Sequence, residues 1–128
     1  MRPALERGEV VVQDRYLDSS IAYQGAGRVL GGEEVRDVSL WATQGLLPDL
    51  TVLLDHDEST GKDRLVDSRT RYDRLEAEHQ DFHARVRAAY LELASAEPGR
   101  FLVLDARDSV ASIAVAIRSR VESLLAAL

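Results

Sequence analysis

The sequence of 128 residues has no cysteine, three prolines and an aromatic content of 5%. The lack of cysteine excludes a disulfide framework, thiol catalysis and cysteine-based metal sites. No apolar run approaches the ~20 residues that cross a bilayer, so the sequence predicts no transmembrane helix. Lysine is also scarce. Lys62 is the only one, and because Asp63 follows it, these residues contain no phosphate-binding loop of the form G-x-x-x-x-G-K-[ST].

The residues that are present indicate one folded domain of mixed charge. The chain is 45% hydrophobic and 30% charged, which is typical of a globular domain. Its net charge of −6 argues against non-specific binding of nucleic acid. Arginine is nevertheless concentrated in one segment, where it can form a local cationic site; the alternative is a solvated helix face. The members of this cluster are Arg64, Arg69, Arg71 and Arg74.

Apolar runs alternate with helical periodicity along the chain. Short apolar runs predict strands at about residues 9–13, 51–55 and 101–104. Helical patterns are found at about residues 2–7, 17–26, 33–47, from near 58, 76–96 and 109–127. This order predicts an α/β fold, in which flanking helices cover both faces of a parallel sheet.

Two of these helices carry more detailed expectations. We expect Pro48 to end the helix at 33–47, because proline cannot continue a helix. The last helix is expected to bury one apolar stripe and to begin at an N-cap, either Asp108 or Ser109. The stripe consists of Val110, Ile113, Ile117, Val121, Leu124 and Leu128.

A polar run, D-R-Y-L-D-S-S-I-A-Y-Q-G, occupies residues 14–25, directly after the first predicted strand. Ligands of α/β proteins bind beyond the carboxyl ends of the strands, and an arginine there suits a phosphate group. Asp14 and Arg15 are therefore candidate site residues, with a structural ion pair as the alternative. Ser19 and Ser20 could contact a nucleoside or cap a helix. Tyr23 could contact the nucleoside as well, or it could belong to the core.

This run resembles the acceptor-site motif of bacterial thymidylate kinases, which carry Asp-Arg-Tyr or Asp-Arg-His, two small polar residues and Ala-Tyr-Gln-Gly. Segments 2–8, 48–55, 73–76 and 82–94 are similar to the same family in the same order. The resemblance implies the C-terminal part of a P-loop nucleoside monophosphate kinase fold. It makes residues 1–128 a single partial domain with a lid segment at about 62–76. The family's phosphate-binding loop would precede this chain.

The implied activity is dTMP kinase, which transfers the γ-phosphoryl group of ATP to dTMP with Mg²⁺ in dTDP and nucleotide biosynthesis. The family is a cytoplasmic homodimer without nucleic-acid or membrane partners. Without the phosphate-binding loop, we expect a fragment that is inactive alone. The alternatives are a non-catalytic remnant and a thymidylate-binding half-enzyme complemented by another chain. We also expect poor stability, pairing of strands 9–13 and 51–55 with each other, or a partner segment between them.

The resemblance also implies a role for each matching residue. Arg15 would hold the 5′-phosphate of dTMP, and Asp14 would orient that arginine and the water shell of Mg²⁺. Ser19, Ser20, Tyr23, Gln24 and Arg28 would complete the substrate site. In the lid, Arg69 and Arg74 would act on the transferring phosphoryl group, with Arg64 and Arg71 near the ATP. Asp105, Ala106 and Arg107 would form the adenine-binding loop, and no resident metal site is implied.

Overall fold

The computed structural model describes residues 1–27, 31–57 and 73–128, with the backbone alone for residues 27 and 73–76. Its elements follow the predicted alternation. They are α1 (Arg2–Glu6), α2 (Leu17–Gly27), α3 (Gly32–Ala42), β1 (Thr51–Asp55), α4 (Asp73–Ala96), β2 (Phe101–Asp105) and α5 (Val110–Ala126). The helix predicted to start near residue 58 lies outside the described residues.

Strands β1 and β2 form a parallel pair, in register from Thr51 opposite Phe101 to Asp55 opposite Asp105. Their carboxyl ends therefore meet at one edge of the sheet. Helices α4 and α5 pack against β2, while α2 packs against both α3 and α4. This arrangement confirms the predicted α/β fold class, and it places the polar run of residues 14–25 on α2 and the loop before it.

The strand predicted at residues 9–13 is wrong: this segment has no regular secondary structure. Val10 and Val12 are 66% and 92% exposed. An apolar run favours extended backbone, but a strand needs a partner for its N–H and C=O groups. Strand β1 pairs with β2, and no described segment pairs with residues 9–13, so pairing of 9–13 with 51–55 does not occur either.

Helix α3 ends at Ala42, well before the predicted end at residue 47, so Pro48 does not terminate it. Gln44 and Gly45 take positive φ angles of 53° and 71°. Their backbone N–H groups donate to carbonyls of the last helical turn at N–O distances of 3.1 and 2.8 Å. This is a Schellman motif, which satisfies the free carbonyls at the end of the helix. Local turn geometry therefore decides where α3 ends.

The expectations for α5 and for the covered sheet are met only in part. Ser109 caps α5, because its Oγ accepts a hydrogen bond from the N–H of Ser112 at 3.1 Å. The stripe is half-buried only in its middle, since Val110 and Leu128 are 85% and 98% exposed. Leu54 and Val103 on the two strands are 51% and 43% exposed, so full covering of both sheet faces is wrong for the described residues.

The buried apolar residues come from α2, α4 and the start of β2. They are Leu17, Ile21, Ala22, Val86, Ala94 and Phe101. The core therefore lies beneath α2 and holds this helix against α4. None of the helices in the described ranges is long and apolar enough to cross a membrane.

Candidate functional site

A groove of about 500 Å³ opens between α2 and the C-terminal half of α3. Its volume lies in the range of small-molecule sites. The lining residues are Arg15, Tyr16, Leu17, Ser19, Ser20, Tyr23, Gln24, Ser39, Ala42 and Thr43. Most of the substrate-contacting residues predicted from the sequence are thus brought together, because they occupy successive turns of one helix.

Arg15 lies at the mouth of this groove, in the loop before α2. Its φ of 59° lies in the left-handed region, which residues other than glycine seldom adopt. Its Nη2 donates to the Tyr23 hydroxyl at 3.4 Å, and its Cζ lies 5.1 Å from the centroid of the Tyr23 ring. In the described part of the chain no carboxylate forms an ion pair with it. The guanidinium therefore offers a positive charge to the groove.

Tyr23 both lines the groove and packs on α4. Its ring centroid lies 6.0 Å from that of Phe82 and 6.3 Å from that of Tyr90, at tilted and edge-on angles that aromatic pairs favour. These contacts hold the ring against α4, and its hydroxyl lies 3.4 Å from Arg15 Nη2. Tyr23 thus packs on α4, as the core interpretation predicts, and it also lines the groove. Its role as a site residue stays a prediction.

Ser19 and Ser20 are not helix caps, because α2 begins at Leu17 and both serines lie inside its first turn. The hydroxyls of Ser19 and Tyr90 share a hydrogen bond of 2.6 Å. Burial raises the pKa of Tyr90, although the bond with Ser19 acts in the opposite direction. Ser20 is exposed at the groove and is free of a capping role.

The remaining predicted acceptor residues differ in how they meet the groove. Gln24 is exposed and lines it. Asp14 is exposed beside it but does not line it, and no hydrogen bond joins its carboxylate to Arg15. Neither the predicted orienting contact nor the alternative ion pair is therefore present among the described residues.

The arginines predicted for the lid fall mostly outside the described residues. Arg28, Arg64, Arg69 and Arg71 are outside the described residues, as is most of the lid segment at 62–76. Arg74 lies in the first turn of α4, and its side chain is not described. Their roles stay predictions from the sequence.

A second, smaller cleft of about 200 Å³ lies at the carboxyl ends of β1 and β2. Asp105 and Arg107 line it and form an ion pair at 2.8 Å. The hydrogen bonds from the Arg107 side chain lower the pKa of Asp105 to about 2. Ala106 joins the two strand ends, because its N–H donates to the carbonyl of Asp55 at 2.8 Å. The three predicted loop residues thus form one ordered turn.

A second carboxylate of this cleft is also held by an arginine. Asp55 accepts two hydrogen bonds from the Arg87 side chain, at 2.7 and 3.0 Å. These bonds lower the pKa of Asp55, while partial burial opposes the shift. The pair joins the end of β1 to α4, so the shape of the cleft is fixed from both sides.

Sequence reasoning missed the α3 side of the groove and a buried charge beneath it. Ser39 and Thr43 line the groove from α3, and only the fold reveals that they do. Asp18, 4% exposed, pairs with Arg100 across 82 residues of sequence. The aspartate inside the polar run could have indicated this charge, whereas no sequence pattern indicated Arg100 as its partner.

In the described ranges no group of three or more His, Cys, Asp and Glu side chains can hold a metal ion. His79 and His83 stack on α4 with ring centroids 4.7 Å apart. This pair has no third ligand beside it in the described part of the chain.

Comparisons with known proteins agree with the geometry. The family model described as thymidylate kinase matches residues 1–117. A thymidylate kinase of Leifsonia xyli subsp. xyli is 70% identical over 95% of this chain and 58% of its own length. That of Clavibacter michiganensis subsp. michiganensis is 65% identical over 99% of this chain and 60% of its own length.

A solved structure shares the fold. The crystal structure of thymidylate kinase from Ehrlichia chaffeensis aligns with 80% of this chain and 46% of its own, with a TM-score of 0.54 and 25% identity. The chain thus spans about 60% of the length of the curated relatives it matches. The polar run on α2, the groove that it lines and the match over residues 1–117 lead to one conclusion: the chain belongs to the thymidylate kinase family.

Proposed function

We propose that the groove along α2 binds dTMP, and that this chain provides the acceptor side of a dTMP kinase. In that reaction the γ-phosphoryl group of ATP passes to the 5′-phosphate of dTMP and gives dTDP. The observation that carries the proposal is Arg15, a guanidinium at the mouth of the groove without a carboxylate partner among the described residues. Such a fork can hold a phosphate through two parallel hydrogen bonds.

The walls of the groove suit the rest of the nucleotide. The Tyr23 ring packs on Phe82 and borders the groove, so a deoxyribose could lie beside it and a 2′-hydroxyl would be crowded. Ser20 and Gln24 are exposed along the same wall and offer hydrogen bonds to the base. Positioning and charge stabilisation are what phosphoryl transfer requires of a protein.

Magnesium fits this site only as a companion of the nucleotide phosphates. The described residues contain no cluster of metal ligands, but Mg²⁺ is commonly held by one or two carboxylates, waters and phosphate oxygens. Asp14, an exposed carboxylate next to Arg15, fits as a partner for that water shell. The ion would neutralise charge on the phosphates when bound.

The donor side of the proposal is formed by the turn after β2 and by the lid. Asp105, Ala106 and Arg107 would border the adenine, as their ordered turn at the sheet edge permits. Arg69 and Arg74 would approach the transferring group from the lid, with Arg64 and Arg71 on the ATP and Arg28 near the acceptor. We propose a cytoplasmic homodimer, as the family resemblance implies.

Calorimetric titration of dTMP into the 128-residue chain tests the acceptor site. Arg15→Ala should weaken dTMP binding by about 10- to 100-fold, because it removes charge-assisted hydrogen bonds worth roughly 1.5–3 kcal/mol. Binding of thymidine, which lacks the phosphate, should be unchanged by the substitution. Arg7→Ala is the matched control, since Arg7 is an exposed arginine that pairs with Glu9 away from the groove. Equal dTMP affinity for wild type and Arg15→Ala would refute the proposal.

A second candidate is binding of thymidylate without turnover. It applies to these 128 residues taken alone, because they contain no G-x-x-x-x-G-K-[ST] motif, whose backbone N–H groups cradle donor phosphates in P-loop kinases. A coupled ATP/dTMP assay on the 128 residues should therefore detect no dTDP, even where dTMP binds. Steady turnover by these residues alone would show that the donor phosphates are held in another way.

A further inference from the structure

The carboxylate of Asp18 is buried beneath the groove and fully engaged. Its Oδ2 accepts from Arg100 Nη1 at 2.7 Å and from the Thr51 hydroxyl at 2.9 Å, and its Oδ1 accepts from Arg100 Nη2 at 2.9 Å. The side chains of Asp18 and Arg100 are only 5% and 12% exposed. The groove residues beside it make single side-chain bonds: Arg15 donates to Tyr23 at 3.4 Å, and Ser19 shares a bond of 2.6 Å with Tyr90.

The partners of Asp18 belong to the rigid part of the molecule. Thr51 opens β1, and Arg100 directly precedes β2. The two are themselves joined, because the Thr51 N–H donates to the Arg100 carbonyl at 2.8 Å. The Arg100 guanidinium lies 4.7 Å from the centroid of the Phe101 ring, which is buried. The carboxylate thus ties α2 to the start of both strands.

Asp18 occupies the first turn of α2, between residues that line the groove. Leu17, Ser19 and Ser20 surround it in sequence, and Arg15 lies in the loop just before the helix. Because successive helical residues are rotated by about 100°, an inward anchor at one position fixes where its neighbours point. Catalytic sites are sensitive to such shifts, since a misplacement of about 1 Å can cost 100-fold.

We propose that Asp18 is a positioning residue for the acceptor groove: its bonds to Arg100 and Thr51 set the rotation of the first turn of α2, and through it the placement of Arg15, Ser19 and Ser20. The inference rests on the proposed dTMP site. A buried ion pair often adds little net stability compared with apolar residues of the same volume. Its directional bonds serve instead to select one orientation of the helix.

The test is dTMP affinity measured on the 128-residue chain by calorimetry for four variants. Asp18→Asn should weaken binding by about tenfold or more, and Arg100→Lys, which keeps the charge but loses the fork, by a few-fold. Thr51→Val removes one hydroxyl and should cost about twofold. Ile117→Ala is the control, because this half-buried residue lies on α5, which packs on β2. It should lower the melting temperature and leave the affinity within twofold.

Backbone amide chemical shifts of the ligand-free chain report the local structure around the groove. A loss of overall stability alone does not change these shifts in the folded protein. Arg100→Lys, distant in sequence, should shift the amides of Ser19, Ser20 and Tyr23, and Asp18→Asn should shift that of Tyr23, whereas Ile117→Ala should shift none of them. If Asp18→Asn fails to fold, Arg100→Lys and Thr51→Val still test whether the contacts of Asp18 position the groove. Folded variants that bind dTMP like wild type, with these amides unmoved, would overturn the positioning role alone. Failure of the wild type to bind dTMP would instead overturn the proposed function, and this inference with it.

Discussion

The hydroxyl pair formed by Ser19 and Tyr90 shows how single residues of the groove are fixed by contacts far away in the sequence. The polar run predicted Ser19, Ser20 and Tyr23 as substrate contacts, and all three line one groove because they occupy successive turns of α2. Their contact with a substrate stays a prediction. Tyr90 lies on α4, far from the polar run in sequence. Its bond to Ser19 joins residues 71 apart, a pairing that periodicity does not encode.

Replacing this tyrosine should change stability in a pH-dependent way. Because burial raises the pKa of Tyr90 above its ordinary value of 10.0, the unfolded chain loses the phenol proton first as pH rises. Stability from this group is therefore complete below about pH 9 and is lost as pH rises through 10 and the folded pKa. Tyr90→Phe should lower the free energy of unfolding, measured with urea, by about 1 kcal/mol at pH 8. Between pH 8 and 10.5 the free energy of unfolding of this variant should fall less than that of the wild type.

Ser19→Ala is the matched variant for this prediction. It removes the same hydrogen bond but keeps the phenol, so it should lower stability at pH 8 and retain the loss at high pH. The double variant should cost no more at pH 8 than the larger single change, because both remove one interaction. A Tyr90→Phe curve that falls with pH as steeply as the wild-type curve would contradict this interpretation.

Among the elements, α3 shows most clearly where sequence periodicity stops being informative. Apolar residues continue at helical spacing past Ala42, so the pattern predicts more helix than forms. The turn at Gln44 and Gly45 ends the helix because its backbone satisfies the free carbonyls. The segment at 9–13 fails for the opposite reason: its local preference is clear, but strand pairing depends on a partner that no local pattern supplies.

Two adjacent substitutions in this turn should have opposite effects. Gln44 has a φ of 53°, which costs a residue with a side chain about 1 kcal/mol, so Gln44→Gly should stabilise the chain by roughly 0.5–1 kcal/mol. Gly45 has a φ of 71°, so Gly45→Ala should destabilise it by about 1 kcal/mol. Thermal unfolding of the two variants beside the wild type checks both signs. Two shifts of the same sign would show that the turn geometry does not control the end of α3.

At the scale of the whole molecule, apolar surface remains open around the sheet. Val10 and Val12 precede α2 without strand partners among the residues that the structure describes, and Leu54 and Val103 are about half exposed on β1 and β2. Edges and faces of this kind favour association with other strands. The family resemblance also predicts poor stability for this chain, and this stays a prediction.

We therefore expect the 128-residue chain to melt over a broad temperature range and to self-associate with rising concentration. Circular dichroism and size-exclusion chromatography measure both properties. Val10→Thr with Val12→Thr should reduce the association, because the substitutions make the exposed segment more polar while keeping β-branched side chains. A sharp, cooperative melt from a clean monomer would contradict this expectation.

The central claim, that the groove along α2 is a dTMP site, is tested most directly by amide shift mapping during a dTMP titration. We predict saturable shifts at Arg15, Ser19, Ser20, Tyr23 and Thr43, around both walls of the groove. The second cleft near Asp105 should stay unchanged until ATP is added. Saturable shifts confined to that cleft, or no saturable shifts at all, would contradict the claim.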